Sequence, residues 1–378
     1  MQQWARFAIL GAMFVTAYLL ILAWQKDYGH AVTAPQQQAA AVIAHDVSAD
    51  LPNAQNAIAA SDVPQANVTA SPAPESSSAS QQLISVQTDL YHLWINPKGG
   101  DIVRIELLSH DQSKNGDQPF VMLENDAKRT YVAQSGLIGL NGPDSSRAGR
   151  PMYDVEKTTY TLADAKTIAS KDGKTAQVLT VPLVFKTPEG VEVIKTFTFK
   201  QGDYPITVKH QVVNRSAQNW QGQMFGQLKR DNSDDPGKSS QGIFTLGTFL
   251  GGAWGTPEAT YNKLKFSNFS DEKLSLEAKS AWVAMVQHYF VSAWIPGNLK
   301  LTQADGQPYT AKLESRQSTD KMNIIGFTSP VINVPAGTSM EVDAKLYAGP
   351  KIQSELKDLA VGLNQTVDYG WLWPIAKL

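Results

Sequence analysis

Alternation of apolar and polar residues dominates the chain from residue 83 onward. In residues 191–200, apolar side chains at positions 191, 193, 197 and 199 alternate with polar ones, as in a strand with one buried face. A Gln-Gly-Asp turn at 201–203 follows, and alternation resumes in residues 206–212, which predicts an antiparallel hairpin. Similar alternation occurs in residues 83–95, 177–185 and 340–347. The pattern predicts a large, mainly β sandwich over residues 83–348.

A helical pattern follows this region, in residues 349–366. Pro350 suits the first position of a helix, where its missing N–H costs nothing. Apolar residues then recur at the spacing of one helical face. These residues are Ile352, Leu356, Leu359 and Leu363. We therefore predict an amphipathic helix that packs on the sandwich, couples it to membrane-embedded structure after residue 366, or does both.

The other end of the chain carries a long apolar run, residues 7–25, between Arg6 and Lys26. It is long enough to span a bilayer, and the positive charge ahead of it favours a cytoplasmic N-terminus at residues 1–6. A cleaved signal peptide is the alternative. Its apolar region is usually only about 7–15 residues long, however, and is followed closely by small residues. The sole plausible cleavage site, residues 32–34, lies well beyond the run. We predict a retained transmembrane anchor.

Two further segments flank the predicted sandwich. Residues 26–82 are rich in Ala, Gln, Ser and Pro and contain no aromatic residue after Tyr28. Such a composition buries too little apolar surface to offset its ordering entropy, which indicates a flexible linker. Residues 367–378 (VDYGWLWPIAKL) are typical of the start of a second membrane segment, truncated before the 20 or so residues that spanning requires.

Composition narrows the possible functions. A net charge of −2 over 378 residues, without a basic block, argues against a nucleic-acid partner. The absence of cysteine excludes disulfides, thiolate nucleophiles and cysteine-ligated metals. No metal-binding, phosphate-binding or serine-hydrolase motif occurs, so we predict no enzyme, no metal and no cofactor. The glycine-rich residues Gly251–Gly255 are interpreted as a turn or bulge, and residues 231–235 as a polar loop in preference to a calcium site.

Six ungapped blocks resemble, in order, the N-terminal half of the Gram-negative YidC membrane protein insertase family. The blocks are residues 95–107 (INPKGGDIVRIEL), 133–144 (AQSGLIGLNGPD), 197–206 (FTFKQGDYPI), 225–230 (FGQLKR), 282–296 (WVAMVQHYFVSAWIP) and 367–373 (VDYGWLW). The resemblance covers the anchor, the linker and residues 83–378. It implies a first transmembrane helix and then a large periplasmic β-supersandwich, mutarotase-like in outline and closed by a helix that leads to the second membrane helix.

The resemblance also implies a function, location and partners. Members of the family are chaperones that insert and fold inner-membrane proteins, with or without the Sec translocon, through a groove formed by later membrane helices. None of those helices lies within residues 1–378. The expected partners are therefore Sec translocon components, nascent inner-membrane proteins and the lipid bilayer, with the main domain in the periplasm. We expect this chain to serve only as anchor and partner-docking module. Pro374 departs from the apolar residue usual in the family.

Two alternatives belong to other classes. A periplasmic carbohydrate-binding or epimerase-like sandwich would need a histidine and a carboxylate converging in a pocket, and its cleft aromatics would be Trp254, Trp282 and Trp294. A structural adaptor for the translocon would instead lose co-purification with Sec components when residues 352–363 are removed.

Overall fold

Strands form most of the described structure, because period-two alternation places one row of each strand's side chains between two sheets. Residues Val191–Lys200 show it directly, since buried and half-buried side chains alternate along almost the whole strand. The two sheets meet through side chains such as Trp294 and Phe327, whose ring centroids lie 6.2 Å apart with the rings edge to face.

The computed structural model describes residues 82–113, 116–146, 149–169, 175–236, 249–301 and 306–367. The predicted anchor, nearly all of the predicted linker, and the segment after Val367 lie outside the described residues. Within the described part of the chain, no helix combines the length and apolar character needed to cross a bilayer.

The strands fall in the following chain order. They are β1 (Ile84–Gln87), β2 (Tyr91–Asn96), β3 (Asp101–Asp111), β4 (Pro119–Asn125), β5 (Thr130–Ile138), β6 (Asp154–Val155), β7 (Thr159–Thr161), β8 (Lys166–Ala169), β9 (Thr175–Lys186), β10 (Val191–Lys200), β11 (Pro205–Asn214), β12 (Trp220–Arg230), β13 (Gly251–Gly255), β14 (Asn262–Lys265), β15 (Ser275–Ala278), β16 (Trp282–Val286), β17 (Phe290–Leu301), β18 (Gln307–Pro308), β19 (Ala311–Gln317), β20 (Asn323–Thr328), β21 (Ile332–Val334) and β22 (Ser339–Pro350). One α-helix, α1 (Gln353–Leu359), follows β22 in the described part. Short 3-10 helices occupy Pro143–Ser145, Leu162–Asp164, Phe266–Asn268 and Leu363–Thr366.

The described strands build two sheets of 11 strands each. The first sheet has the order β15-β19-β20-β12-β5-β4-β3-β2-β1-β7, and β21 also pairs with β12. The second has the order β14-β13-β16-β17-β22-β11-β10-β9-β6, with β18 beside β17 and β8 beside β9. Pairing is antiparallel except between β1 and β7. The mainly β sandwich predicted from the alternation is confirmed.

The predicted hairpin is confirmed. Strands β10 and β11 pair antiparallel from Val191 opposite Asn214 to Thr198 opposite Thr207. The apolar block at 282–296 forms the β16–β17 hairpin, in which Trp282 is fully buried. Gly99 and Gly100 form the β2–β3 turn with φ of 78° and 64°, a backbone region that side-chain-bearing residues rarely adopt.

The predicted helix at 349–366 is much shorter than the periodicity indicated. Strand β22 continues through Pro350, which pairs with Phe290, so proline ends a strand instead of starting a helix. The helix begins after Ile352 and ends at Leu359. Gly362 then adopts a left-handed φ of 82°, and a separate 3-10 helix follows. The continuation of sheet pairing and this glycine together explain the difference.

The interpretation of Gly251–Gly255 as a turn or bulge is wrong, because these residues form strand β13 between β14 and β16. Glycine is required there for close packing. A Cβ atom on Gly252 would lie 2.7 Å from Cζ of Phe269, a buried ring. These glycines thus allow close packing within a strand instead of marking a turn.

Candidate functional site

A fully buried lysine lies where the β10 alternation calls for an apolar residue. Lys195 points inward, and its ammonium donates hydrogen bonds to the carbonyl oxygens of Gly99 (3.0 Å), Gly100 (2.7 Å) and Ser135 (2.8 Å). Three acceptors match the three N–H groups of an ammonium. The lysine stem also packs on the β2–β3 turn, since a Cβ on Gly100 would lie 2.9 Å from Cδ of Lys195. Lys195 thereby ties the second sheet to the first.

Arg150 completes this arrangement from the other side of the same turn. Its guanidinium donates to a carboxylate oxygen of Asp101 at 2.7 Å and of Asp144 at 2.5 Å, and also to the carbonyl oxygens of Gly99 and Ser135. We call Asp101, Asp144, Arg150 and Lys195 the buried ionic cluster. With two cations and two carboxylates it is neutral, as a buried set of charges must be to avoid a large desolvation cost.

Burial and mutual attraction oppose each other in the pKa values of the cluster. Burial lowers the pKa of Lys195 to about 7, although Asp101 works against that shift. Burial raises the pKa of Asp144, and the cation of Arg150 opposes the rise. The pKa of Arg150 is raised, because Asp101 and Asp144 outweigh the effect of burial. Arg150 therefore keeps its charge at any physiological pH, which makes it the centre of the cluster.

His210 lies opposite Lys195 in the neighbouring strand β11 and is fully buried. Burial, then Lys195 and Arg150, lower its pKa well below the usual value. Neither of its ring nitrogens has a hydrogen-bond partner among the described residues. The ring is therefore neutral at pH 7, because burial and then the cations of Lys195 and Arg150 disfavour its protonation.

The buried ionic cluster has a structural role and is not placed for catalysis. An epimerase-like site needs a histidine and a carboxylate that converge in a pocket open to a sugar. His210, Asp101 and Asp144 are buried, and none of them lines either of two surface cavities of about 490 and 370 Å³ in the described region. Among the described residues, no three His, Asp or Glu side chains gather as a metal site. This geometry gives the epimerase alternative no support.

The three candidate cleft aromatics occupy different environments. Trp282 and Trp294 are buried in the core, and each indole N–H donates to a carbonyl oxygen, that of Val361 at 2.8 Å and that of Gln227 at 3.1 Å. Trp254 is half-buried and packs against the same core. None of the three lines either cavity, so a role for them in ligand binding stays a prediction without geometric support.

Each of two carboxylates in the polar loop at 231–235 is held by hydrogen bonds to its own neighbours in the fold. Asp235 accepts a hydrogen bond from Arg230 at 2.7 Å and another from Gln287 at 2.7 Å. Asp231 accepts from the backbone N–H of Thr130 at 2.7 Å. The carboxylates thus serve separate partners, consistent with a structural loop.

The four residues of the predicted coupling stripe divide into two groups. Leu356 and Leu363 are fully buried, and Leu359 packs partly buried against the same core. Ile352 remains 36 % exposed because it precedes the helix instead of lying within it. The structure therefore brings three of the four residues onto the sandwich.

The chain after α1 is fixed by backbone contacts as well. Trp282 donates its indole N–H to the carbonyl oxygen of Val361. The Cα of Gly362 lies so close to the backbone of Thr260 that a Cβ would overlap its carbonyl oxygen. Gln365 donates to the hydroxyl of Thr260 at 3.0 Å. We call residues 353–367 the docked C-terminal segment, because side chains and backbone both hold it against the second sheet.

Replacing Gly362 with alanine should lower the free energy of unfolding by about 1–3 kcal/mol, because both the left-handed φ and the contact with Thr260 exclude a Cβ. Gly337→Ala is the matched control, since Gly337 has a φ of 74° but no atom within 4 Å of an added Cβ. Urea unfolding of both variants measures the difference. Equal losses would show that the close approach of the docked C-terminal segment contributes nothing.

Periodicity alone missed the buried ionic cluster. The available signal was Lys195 itself, which stands at an inward position between Val193 and Phe197. Arg150 offered little local signal, because only its partner Asp144 lies near it in sequence, six residues away, whereas Asp101 and Gly99 lie 49 and 51 residues away.

Comparison with known families identifies the fold described above. The family model of the YidC periplasmic domain matches residues 83–378. The chain belongs to this family. Membrane protein insertase YidC of Pseudomonas putida strain GB-1 is 41 % identical over 374 residues, covering 98 % of this chain and 63 % of the relative. The protein of the same name from Azotobacter vinelandii is 40 % identical over 377 residues, with the same coverage of both chains. The chain thus spans 63 % of the length of these relatives.

Solved structures with partial similarity include two bacterial proteins named for sugar chemistry. A galactose mutarotase related enzyme from Lactobacillus acidophilus has a TM-score of 0.43 and 11 % identity, covering 70 % of this chain and 97 % of that one. An α-galactosidase from Lactobacillus brevis has a TM-score of 0.40 and 10 % identity, covering 74 % of this chain and 41 % of that one.

Proposed function

We propose that this chain supplies the anchor and periplasmic docking module of an inner-membrane protein insertase. Residues 1–6 lie in the cytoplasm, residues 7–25 cross the inner membrane, and residues 26–82 link the anchor to a periplasmic sandwich formed by residues 83–348. The name shared by the relatives, membrane protein insertase, supports the activity of the whole protein. The uncharged run at 7–25 and the linker composition support the arrangement.

The docked C-terminal segment is the observation that carries this proposal. Leu356 and Leu363 are buried in the sandwich, and the segment runs to Val367, where the predicted second membrane segment begins. A segment fixed in this way would hold the sandwich in a defined position relative to the membrane segment that follows it. The partners that follow are Sec translocon components, nascent inner-membrane proteins and the lipid bilayer, without nucleic acid or cofactor.

The division of labour can be tested by complementation. Residues 1–378 expressed in a host depleted of its own insertase should not restore growth, because a sandwich on one anchor offers no path that lowers the cost of moving polar residues into hydrocarbon. Restored growth would contradict the proposal.

The docking role can be tested by co-purification with Sec components. Leu356→Ala combined with Leu363→Ala should loosen the docked C-terminal segment and reduce the yield of Sec components. The control, Ile352→Ala, removes a partly exposed side chain of the same predicted stripe and should leave the yield unchanged. An undiminished yield from the double variant would remove the segment from the docking role.

A further inference from the structure

A groove of about 370 Å³ lies between strands β17 and β22 and the end of α1. The register of β17 against β22 shifts between Pro296 and Leu299, which marks a bulge. Bulges bend a strand and redirect side chains, and they are common beside functional sites. Gly297 in this bulge allows close approach, since a Cβ there would overlap a carboxylate oxygen of Asp343. We call this site the bulge groove.

Charges of both signs line the bulge groove. Asp343 and Lys345 stand two residues apart on β22, hence on one face, while Lys357 and Asp358 come from α1. No ion pair within 4.0 Å links any two of these four residues in the described structure. The groove thus presents two cations and two carboxylates that are not joined in ion pairs, and the Asp343 carboxylate also accepts the backbone N–H of Asn298 at 3.1 Å.

We infer that the bulge groove binds the phosphoethanolamine headgroup of a membrane lipid. Its phosphate accepts charge-assisted hydrogen bonds from the lysines, and its primary ammonium donates to the carboxylates. A choline headgroup has no N–H to donate, and a purely anionic headgroup leaves both carboxylates unmatched. A zwitterion with N–H donors can pair with all four charged groups at once.

The position of the groove relative to the bilayer rests on the proposed function. Val361 lines the groove and is 52 % exposed, which provides an apolar contact at its rim. Val367 follows Val361 by six residue steps, and four of the five residues between them form the 3-10 helix Leu363–Thr366. At the rise of such a helix the six steps span roughly 12 Å, so a membrane segment that starts at Val367 places the groove near the headgroup layer.

Binding can be measured directly, because the chain has no cysteine of its own. Ser280, an exposed residue of the groove lining, is replaced by cysteine and labelled with an environment-sensitive fluorophore in the full chain in detergent. Glycerophosphoethanolamine should give a saturable response, with glycerophosphocholine and glycerophosphate binding about tenfold more weakly. A label at Ser275→Cys, on the exposed strand β15, should not respond. Equal responses to the three compounds, or none, would overturn the inference.

Charge variants test two of the four groups, one of each sign. Lys357→Gln and Asp358→Asn remove opposite charges from an exposed helix face, so the fold should be retained, and each should weaken headgroup binding about tenfold. The control Lys312→Gln removes a charge from the first sheet and should leave binding unchanged. Unchanged binding in both groove variants would overturn the inference.

Nanodiscs distinguish a membrane lipid from a soluble ligand. A nitroxide on the headgroup region of phosphatidylethanolamine bilayers should quench the Ser280→Cys label more than the same nitroxide in phosphatidylcholine. Equal quenching alongside binding of the soluble headgroup would overturn the assignment to a lipid. These measurements need no insertase activity, so their failure is separate from failure of complementation or Sec co-purification.

Discussion

Replacing Arg150 with methionine should lower the free energy of unfolding by about 3–5 kcal/mol, the usual cost of removing one partner from a buried ion pair. The guanidinium is almost fully buried and bonds both Asp101 and Asp144. Methionine fills part of the volume but leaves the buried carboxylates without their main cation. The carbonyl oxygens of Gly99 and Ser135 also lose their hydrogen bonds from Arg150 and keep those from Lys195.

Urea unfolding of the full chain in detergent, followed by tryptophan fluorescence, measures this effect. Arg215→Met is the matched control, because Arg215 pairs with Glu192 at 2.7 Å but is largely exposed. Its loss should cost no more than about 1 kcal/mol. A similar cost for both variants would mean that the buried ionic cluster has no special role in stability.

Acidification from pH 7 to pH 5 should destabilise the protein through His210 by about 2 kcal/mol. Burial holds the pKa of His210 well below its usual value in the folded state, whereas the unfolded chain binds a proton near pH 6.5. The unfolded state therefore binds more protons below pH 6.5, and stability falls as pH falls. Lys195 and Arg150 face the ring and add to the cost of charging it.

His210→Leu should remove this part of the pH dependence while keeping or raising stability at pH 7, because both ring nitrogens lack partners. The measurement is the difference in unfolding free energy between pH 7 and pH 5. His92→Gln, at a residue whose side chain is 30 % exposed, is the control and should leave the contribution of His210 intact. The hypothesis fails if His210→Leu and the parent chain lose the same free energy.

The strands could be read from the sequence because alternation is a local property. Residues 191–200 and 206–212 become β10 and β11 without any long-range information. The late helix could not be bounded in the same way. Ile352, Leu356, Leu359 and Leu363 satisfy a helical period, but sheet pairing holds the chain extended up to Pro350, and Gly362 ends the regular path. Helix propensity was overridden by sheet pairing before the helix and by the left-handed conformation of Gly362 after it.

The coupling residues were partly predictable and the buried ionic cluster was not. The apolar stripe at 352–363 indicated which side chains would pack, and three of its four members do. The buried ionic cluster joins residues 101, 144, 150 and 195, each unremarkable where it stands. A charged residue in a buried row is tolerated only when distant partners neutralise it, and no periodicity records those partners.

By itself, the sequence determined the strand-rich class, the hairpins, the apolar rows and the family, since all of these follow from order along the chain. Only the tertiary structure decided that Lys195 and Arg150 tie the two sheets at the Gly99–Gly100 turn, that the late helix shortens to seven residues, and that four charges line the bulge groove. The physical reason is the separation in sequence over which each interaction acts. Hydrophobic alternation acts between neighbours, whereas charge compensation and close backbone contact depend on residues that folding alone brings together.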